Sequence, residues 1–166
     1  MESLKVVKYI FNFSTCQHFN ISTDKMSKNN YSGEAIRKMT AMFKPFNSSA
    51  YNWLIEKGYR ELCEAAEFLI SGKEKNFQWL VQNKFFDLAA FINAAKGDKK
   101  AFQWLMQNNV IFWAATANAV NKDPKAMMWL RQHNFIVYAE LAEAIIEFEK
   151  LDNSDISGYY RGPGSN

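Results

Sequence analysis

Side chains that could do acid–base, nucleophilic or metal chemistry are few in this sequence, and they lie far apart. The only histidines are His18 and His133, and the only cysteines are Cys16 and Cys63. No set of them has the spacing of a metal site, and no glycine-rich loop that could cradle a phosphate is present. An enzyme would need His133 in a deep pocket with a perturbed pKa. The sequence therefore predicts no catalytic residue, no metal and no cofactor.

Polar side chains that recur at a fixed interval suit binding better than catalysis. They are mostly amides, and the predicted partner contacts are Gln78, Gln82, Gln103, Gln107, Gln132, Asp87, Asn93, Asn118 and Asn121. Rows of amides could bind a peptide backbone or the edges of bases. They could equally bond to one another and have only a structural role.

Lysines form a second recurring set, and they gather where one repeating unit joins the next. This predicted basic edge consists of Lys73, Lys75, Lys99, Lys100, Lys122 and Lys125. It could hold phosphate or an acidic partner, although lysines at turns are commonly just solvated. The net charge of +3 arises outside the repeats. Residues 1–45 carry seven Lys/Arg against three acids, whereas residues 46–150 carry twelve of each. Nucleic acid is therefore a less favoured partner than a protein or peptide.

A Trp-Leu pair that returns four times organises the elements that carry these side chains. The pairs are Trp53-Leu54, Trp79-Leu80, Trp104-Leu105 and Trp129-Leu130, at spacings of 26, 25 and 25 residues. Self-similarity at such a period is typical of stacked helical repeats. We expect the four tryptophans to be buried between repeats. The alternative is an exposed ladder on which bases or aromatic ligands stack.

Each repeat carries the start and stop signals of two short helices. Six residues before each Trp stand Asn47, Lys73, Asp98 and Asp123, three of which are preferred N-cap residues. Five residues after each Trp stand Gly58, Lys84, Asn109 and Asn134. Gly and Asn readily adopt the left-handed conformation that ends a helix. A second helix follows at once, because apolar residues recur there with helical spacing, and Gly72 and Gly97 end two of these helices.

The repeats define one domain, residues 32–150, between two segments of different character. The domain is expected to begin with a cap helix over residues 34–44, with Ser32 as its N-cap. Residues 1–31 are expected to be a poorly ordered or irregular leader, and the glycine-containing residues 151–166 a flexible tail. Glu140, Glu143 and Glu147 would give the last helix an acidic outer side, as a solubilising end of an open stack requires.

Composition agrees with a folded domain and argues against a membrane protein. Of the 166 residues, 48% are hydrophobic and 22% are charged. No apolar run approaches 18 residues, and no signal-peptide pattern precedes the repeats. We therefore expect no membrane partner and a reduced, cytoplasmic setting, with the oligomeric state left open.

The segment Gly97-Asp98-Lys99-Lys100-Ala101-Phe102-Gln103-Trp104-Leu105-Met106-Gln107-Asn108-Asn109 resembles the second half of an ankyrin repeat, without room for the β-hairpin finger. The resemblance implies a right-handed stack of antiparallel helix pairs with a binding role. We predict an all-α fold, a right-handed α-solenoid of about four 25-residue αα-hairpin repeats with an N-terminal cap helix. The predicted function is a non-catalytic protein-interaction or scaffold module. The alternatives are a solenoid that binds RNA or single-stranded nucleic acid, and a structural component of a larger assembly.

Overall fold

The computed structural model describes residues 31–44 and 48–152, and this part of the chain is all-helical. Its helices are α1 (Gly33–Ala41), α2 (Ser48–Glu56), α3 (Arg60–Ser71), α4 (Glu74–Gln82), α5 (Phe86–Ala95), α6 (Lys99–Gln107), α7 (Ile111–Val120), α8 (Pro124–Gln132) and α9 (Ile136–Asp152). The predicted all-α class is confirmed. The leader before Tyr31, the Asn47 cap and the tail after Asp152 lie outside the described residues.

The predicted helix starts are confirmed wherever the structure describes them, and the preferred N-cap residues there make capping side-chain bonds. The Ser32 hydroxyl accepts a hydrogen bond from the Ala35 N–H at 3.1 Å. The Asp98 carboxylate accepts from the N–H of Lys100 at 2.8 Å and from that of Ala101 at 3.1 Å. Asp123 caps α8 in the same way. Lys73 occupies the N-cap position of α4 without a capping side-chain bond, since it has no acceptor to offer.

The outer helix of each hairpin ends as the sequence predicts, with a left-handed residue. The φ angles are 81° at Gly58, 65° at Lys84, 60° at Asn109 and 63° at Asn134. In each repeat the next residue donates its N–H to the carbonyl of the Leu in the Trp-Leu pair, as from Tyr59 to Leu54 at 2.8 Å. This is the Schellman arrangement, which satisfies carbonyls that the helix leaves unpaired.

The leucine of each Trp-Leu pair is a core residue, whereas the tryptophan is not always buried. Leu54, Leu80, Leu105 and Leu130 are all completely buried. Trp129 is 8% exposed, but Trp104 is 37% exposed. The expectation of a buried tryptophan row is therefore wrong at Trp104, because the side chain one residue before the Leu points along the flank of the helix. The completely buried tryptophan is Trp113, in α7.

The helices form two layers that curve until the ends of the array meet. In the inner layer, α1, α3, α5, α7 and α9 each pack against the next, and α9 packs against α1. The outer helices α2, α4, α6 and α8 each lie between two inner helices and have at most marginal contact with one another. The described helices thus form a closed ring of five inner helices, with four outer helices around it.

The contact between α1 and α9 corrects the expectation of an open stack with free ends. The Phe43 and Phe148 rings meet at 6.0 Å between centroids, and Arg37 pairs with Glu140 at 3.6 Å. A Cβ on Gly33 would lie 3.6 Å from Cγ1 of Val137. In these three pairs the residue numbers increase in the same direction on both sides, so α1 and α9 run parallel. Among the acids of α9, Glu140 contributes to this closure by pairing with α1, whereas Glu143 pairs with Arg131 of the adjacent helix α8.

Candidate functional site

The predicted amide rows lie on the outer surface. Gln78, Gln82, Gln103, Gln107 and Gln132 are all exposed on α4, α6 and α8. Because the outer helices stand apart, these side chains do not form the ladder of mutual hydrogen bonds that would explain them structurally. They stay candidates for contact with a partner.

Two of the predicted contact residues, Asp87 and Asn121, make contacts within the fold. Asp87 is buried, with 7% of its surface exposed. The Asn121 side-chain amide donates to the carbonyls of Ala94 and Ala117, both at 3.0 Å, and so ties the end of α7 to α5. Asn93 and Asn118 are half-buried between outer helices.

Lysines of the predicted basic edge lie at or just before the N-terminal ends of α4, α6 and α8. Five of the six are exposed, and Lys99 is half-buried. The acids Glu74, Asp98 and Asp123 occupy the same turns, and the two aspartates are the helix caps. The edge is therefore mixed in charge, and the local field is weaker than six lysines alone would produce.

A buried polar cluster at the N-terminal ends of α3 and α5 was not found by sequence reasoning. Burial raises the pKa of Tyr31, and the charges of Asp87 and Glu61 raise it further. Burial also raises the pKa of the Glu61 carboxyl. Burial and Asp87 together raise the pKa of Tyr138. The carboxylates lie in the first turns of their helices, where the helix dipole favours negative charge.

The cluster includes Tyr31, which lies two residues before α1 and packs against inner aromatic side chains. The Tyr31 ring is 6.2 Å from the Tyr59 ring and 6.4 Å from the Trp113 ring, between centroids. Aligning the repeats would have indicated this cluster. The position eight residues after the Trp is Glu61 or Asp87 in the first two units but Phe112 or Val137 in the last two. A change from acid to apolar at a repeated position marks a place where the units differ in environment.

His133 and Cys63 are the histidine and the cysteine within the described part of the chain. His133 is exposed, and its ring stacks on Trp129 at 4.3 Å while Nδ1 bonds to the Trp129 carbonyl. Burial raises the pKa of the Cys63 thiol to about 12, so it is held in the unreactive thiol form. Within the described residues, no three His, Cys, Asp or Glu side chains are placed to hold a metal ion.

Grooves between neighbouring outer helices are the most informative surface, because the repeats supply three equivalent ones. The first groove lies between α2 and α4 over α3. Its wall residue Ile55 is 40% exposed, but paired polar side chains occupy its floor. Arg60 pairs with Glu64 at 3.0 Å and lies over the Trp79 ring at 4.7 Å. The Asn76 amide donates to Glu64 at 2.7 Å and to Glu67 at 3.3 Å.

The third groove, between α6 and α8 over α7, is filled by apolar side chains. Trp129 is 8% exposed, and its ring stacks on Phe135 at 5.7 Å. Ala126 is completely buried at the base of α8. Met106 and Ile111, which hold the wall positions, are half-buried.

The middle groove, between α4 and α6 over α5, is open and apolar. It encloses about 560 Å³. Val81, Phe86 and Trp104 line it and are 40%, 48% and 37% exposed. Ala89 and Ala90 line it from the inner helix α5, where their small side chains leave space.

Two substitutions within the repeat pattern leave this groove open. Aromatic residues six positions after Trp53, Trp79 and Trp129 stack on those rings, as Phe85 does on Trp79 at 5.7 Å. Val110 stands at that position after Trp104, so Trp104 has no ring stacked on its face among the described residues. In addition, Val81 is smaller than Met106, the wall residue of the third groove.

No family model matches this chain, and no curated protein or solved structure is significantly similar to it. None of the helices that the structure describes combines the length and the apolar character needed to cross a lipid bilayer.

Proposed function

We propose that this protein is a non-catalytic protein-interaction module, built as a short right-handed α-solenoid that closes on itself, and that the middle groove binds its partner. The observation that carries the proposal is the contrast between three equivalent grooves. The chain fills the third groove with its own side chains, lines the floor of the first with paired polar groups, and leaves the middle one open and apolar. Clustered exposed apolar side chains of this kind mark interaction sites.

The groove offers enough apolar surface for a specific contact. Its two aromatic side chains and Val81 expose roughly 200 Å² in total, given that a large aromatic residue has about 150–250 Å² to bury. Covering that area would contribute about 5 kcal/mol at 25 cal/mol/Å², before the cost of association is subtracted. The site therefore supports binding that a few added polar contacts would make specific.

Polar groups at one end of the groove would fix the orientation of a partner. Asn93 and Lys100 line that end. The exposed amides Gln78 and Gln103 lie on the two outer helices that form the groove and could contact a partner bound there. An apolar centre with a polar rim is the usual anatomy of a protein–protein interface.

Site-specific photo-crosslinking in cells tests the proposal. A photoreactive amino acid at Phe86 should capture a protein at the groove. Ile136 is the matched control, because it holds the same repeat position and is 42% exposed, close to the 48% of Phe86. Val81→Asp should abolish capture from position 86, since a carboxylate in an apolar contact must be desolvated.

Two results would contradict the proposal. Equal capture from positions 86 and 136 would show that exposure alone accounts for the crosslinks. Capture of nucleic acid, lost when Lys75, Lys100 and Lys125 are changed to Gln and falling steeply with added salt, would establish the basic edge as a nucleic-acid site instead.

A further inference from the structure

The middle groove has the length and the lining to receive a helix. Along α5 it extends from Phe86 to Asn93, which is about 10 Å at 1.5 Å per residue, or two helical turns. Its walls are side chains of helices whose backbone groups are already paired within those helices. An extended peptide would therefore leave its own N–H and C=O groups unpaired there, whereas a helix satisfies them internally.

Charge at the groove selects for an acidic residue in the occupant. Lys100 is exposed and forms no ion pair among the described residues. Asp98, which also lines the groove, is occupied in capping α6 through the N–H groups of Lys100 and Ala101. The expected occupant is a helix with two large apolar side chains one turn apart and an acid beside them.

Helix α2 of the same chain has this pattern on the partly exposed face that borders the first groove. Tyr51 and Ile55, four residues apart, are 38% and 40% exposed. Glu56 follows directly, is exposed, and pairs with no cation among the described residues. Outside the groove itself, no other described helix exposes two large apolar side chains on adjacent turns, because α8 offers only Met128, and Ile136 and Leu151 lie at opposite ends of α9.

We propose that the middle groove binds α2 of a second copy of this chain, an inference that rests on the proposed interaction function. In this arrangement Ile55 and Tyr51 lie against Val81, Phe86 and Trp104, and Glu56 pairs with Lys100. The donor helix and the acceptor groove are different surfaces of one molecule, so the contact is head-to-tail rather than two-fold symmetric. One ridge in one groove is a small interface, so the association is weak and concentration-dependent.

Sedimentation velocity of the full chain over about 5–500 µM tests the proposal, a range suited to interfaces of this small class. We expect the weight-average sedimentation coefficient to rise with concentration. Ile55→Asp damages the donor helix and Val81→Asp damages the groove, and both replaced side chains are 40% exposed, so folding should be retained. Each variant alone should weaken self-association at least tenfold, about 1.4 kcal/mol.

Mixing the two variants distinguishes head-to-tail docking from other contacts. The Ile55→Asp copy keeps an intact groove and the Val81→Asp copy keeps an intact α2, so the mixture should form a 1:1 dimer that cannot extend. Glu56→Lys should weaken association and Lys100→Glu added to it should restore binding. Met128→Asp is the control, because Met128 is 54% exposed but remote from both surfaces, and it should change nothing.

A wild-type chain that stays monomeric throughout the range would overturn this inference, as would dimers that persist in both single variants. Neither result would touch the proposed function if position 86 still crosslinks to a different protein. Loss of both self-association and crosslinking would remove the two proposals together.

Discussion

Trp113 and Trp104 are tryptophans in two different environments. Replacing each by Ala should show how much more free energy of unfolding a core tryptophan contributes than a partly exposed one. Trp113 is completely buried among Phe91, Phe112 and Tyr138, with ring centroids 4.5 to 5.8 Å away. Removing its side chain creates a cavity that the surrounding helices cannot close. Trp113→Ala should therefore lower the free energy of unfolding by about 4–5 kcal/mol. Trp104 is 37% exposed, and water can fill the space that it leaves. Trp104→Ala should cost only about 2 kcal/mol, because less area is uncovered and no closed cavity forms.

Equilibrium urea unfolding followed by circular dichroism measures both costs. With a slope of about 1–3 kcal/mol per molar urea, the two variants should differ in midpoint by about 1–2 M. Trp113→Phe is the matched control, since it keeps a ring in place and removes an indole N–H that is buried without a hydrogen-bond partner among the described residues. That variant should lose no more than about 1.5 kcal/mol. A larger loss for Trp104→Ala than for Trp113→Ala would refute the assignment of core and surface.

Three further variants test the caps, the buried carboxylate and the buried thiol. Asp98→Ala should cost about 1 kcal/mol and Lys73→Asp should gain about 0.5–1 kcal/mol in urea unfolding, because α6 loses a cap and α4 acquires one. Burial raises the pKa of Glu61 above its ordinary 4.5, so the folded state binds that proton more tightly than the unfolded state does. The free energy of unfolding should therefore fall as the pH rises from 4.5 through the pKa of the folded state. Glu61→Gln should therefore stabilise the protein at pH 7 but not at pH 4. In a Cys16→Ser background, Cys63 should react with a thiol reagent only as fast as the protein opens; rapid labelling at neutral pH would contradict its burial and its raised pKa of about 12.

Helix boundaries were predictable from this sequence because local chemistry decides them. A carboxylate or hydroxyl at Ser32, Asp98 and Asp123 pairs the N–H groups of its own next turn, and Gly58, Asn109 and Asn134 tolerate positive φ without help from the rest of the fold. Lys84 adopts the same left-handed conformation, and there the repeat context predicted it although the residue type did not.

Contacts between distant parts of the chain were not predictable from the same pattern. Periodicity indicates which face of a helix is apolar, but not whether a flank residue such as Trp104 will be covered by its neighbour. The middle groove depends on that, because Val110 replaces a stacking aromatic six residues after Trp104. Closure between α1 and α9 depends on the curvature that accumulates over all the repeats, and no single repeat encodes it.

The contact between α1 and α9 makes the number of hairpins a fixed quantity. In an open array a unit can be gained or lost, because each contacts only its neighbours. Here Gly33 and Val137, 104 residues apart in the chain, must meet, and a chain one hairpin shorter or longer would bring α9 to the wrong place. Closing a loop of that length costs about 4 kcal/mol of chain entropy, and it is repaid only when every hairpin has formed. Folding should then be all-or-none rather than spreading from one end, and evolution by duplication of single hairpins is closed to this architecture.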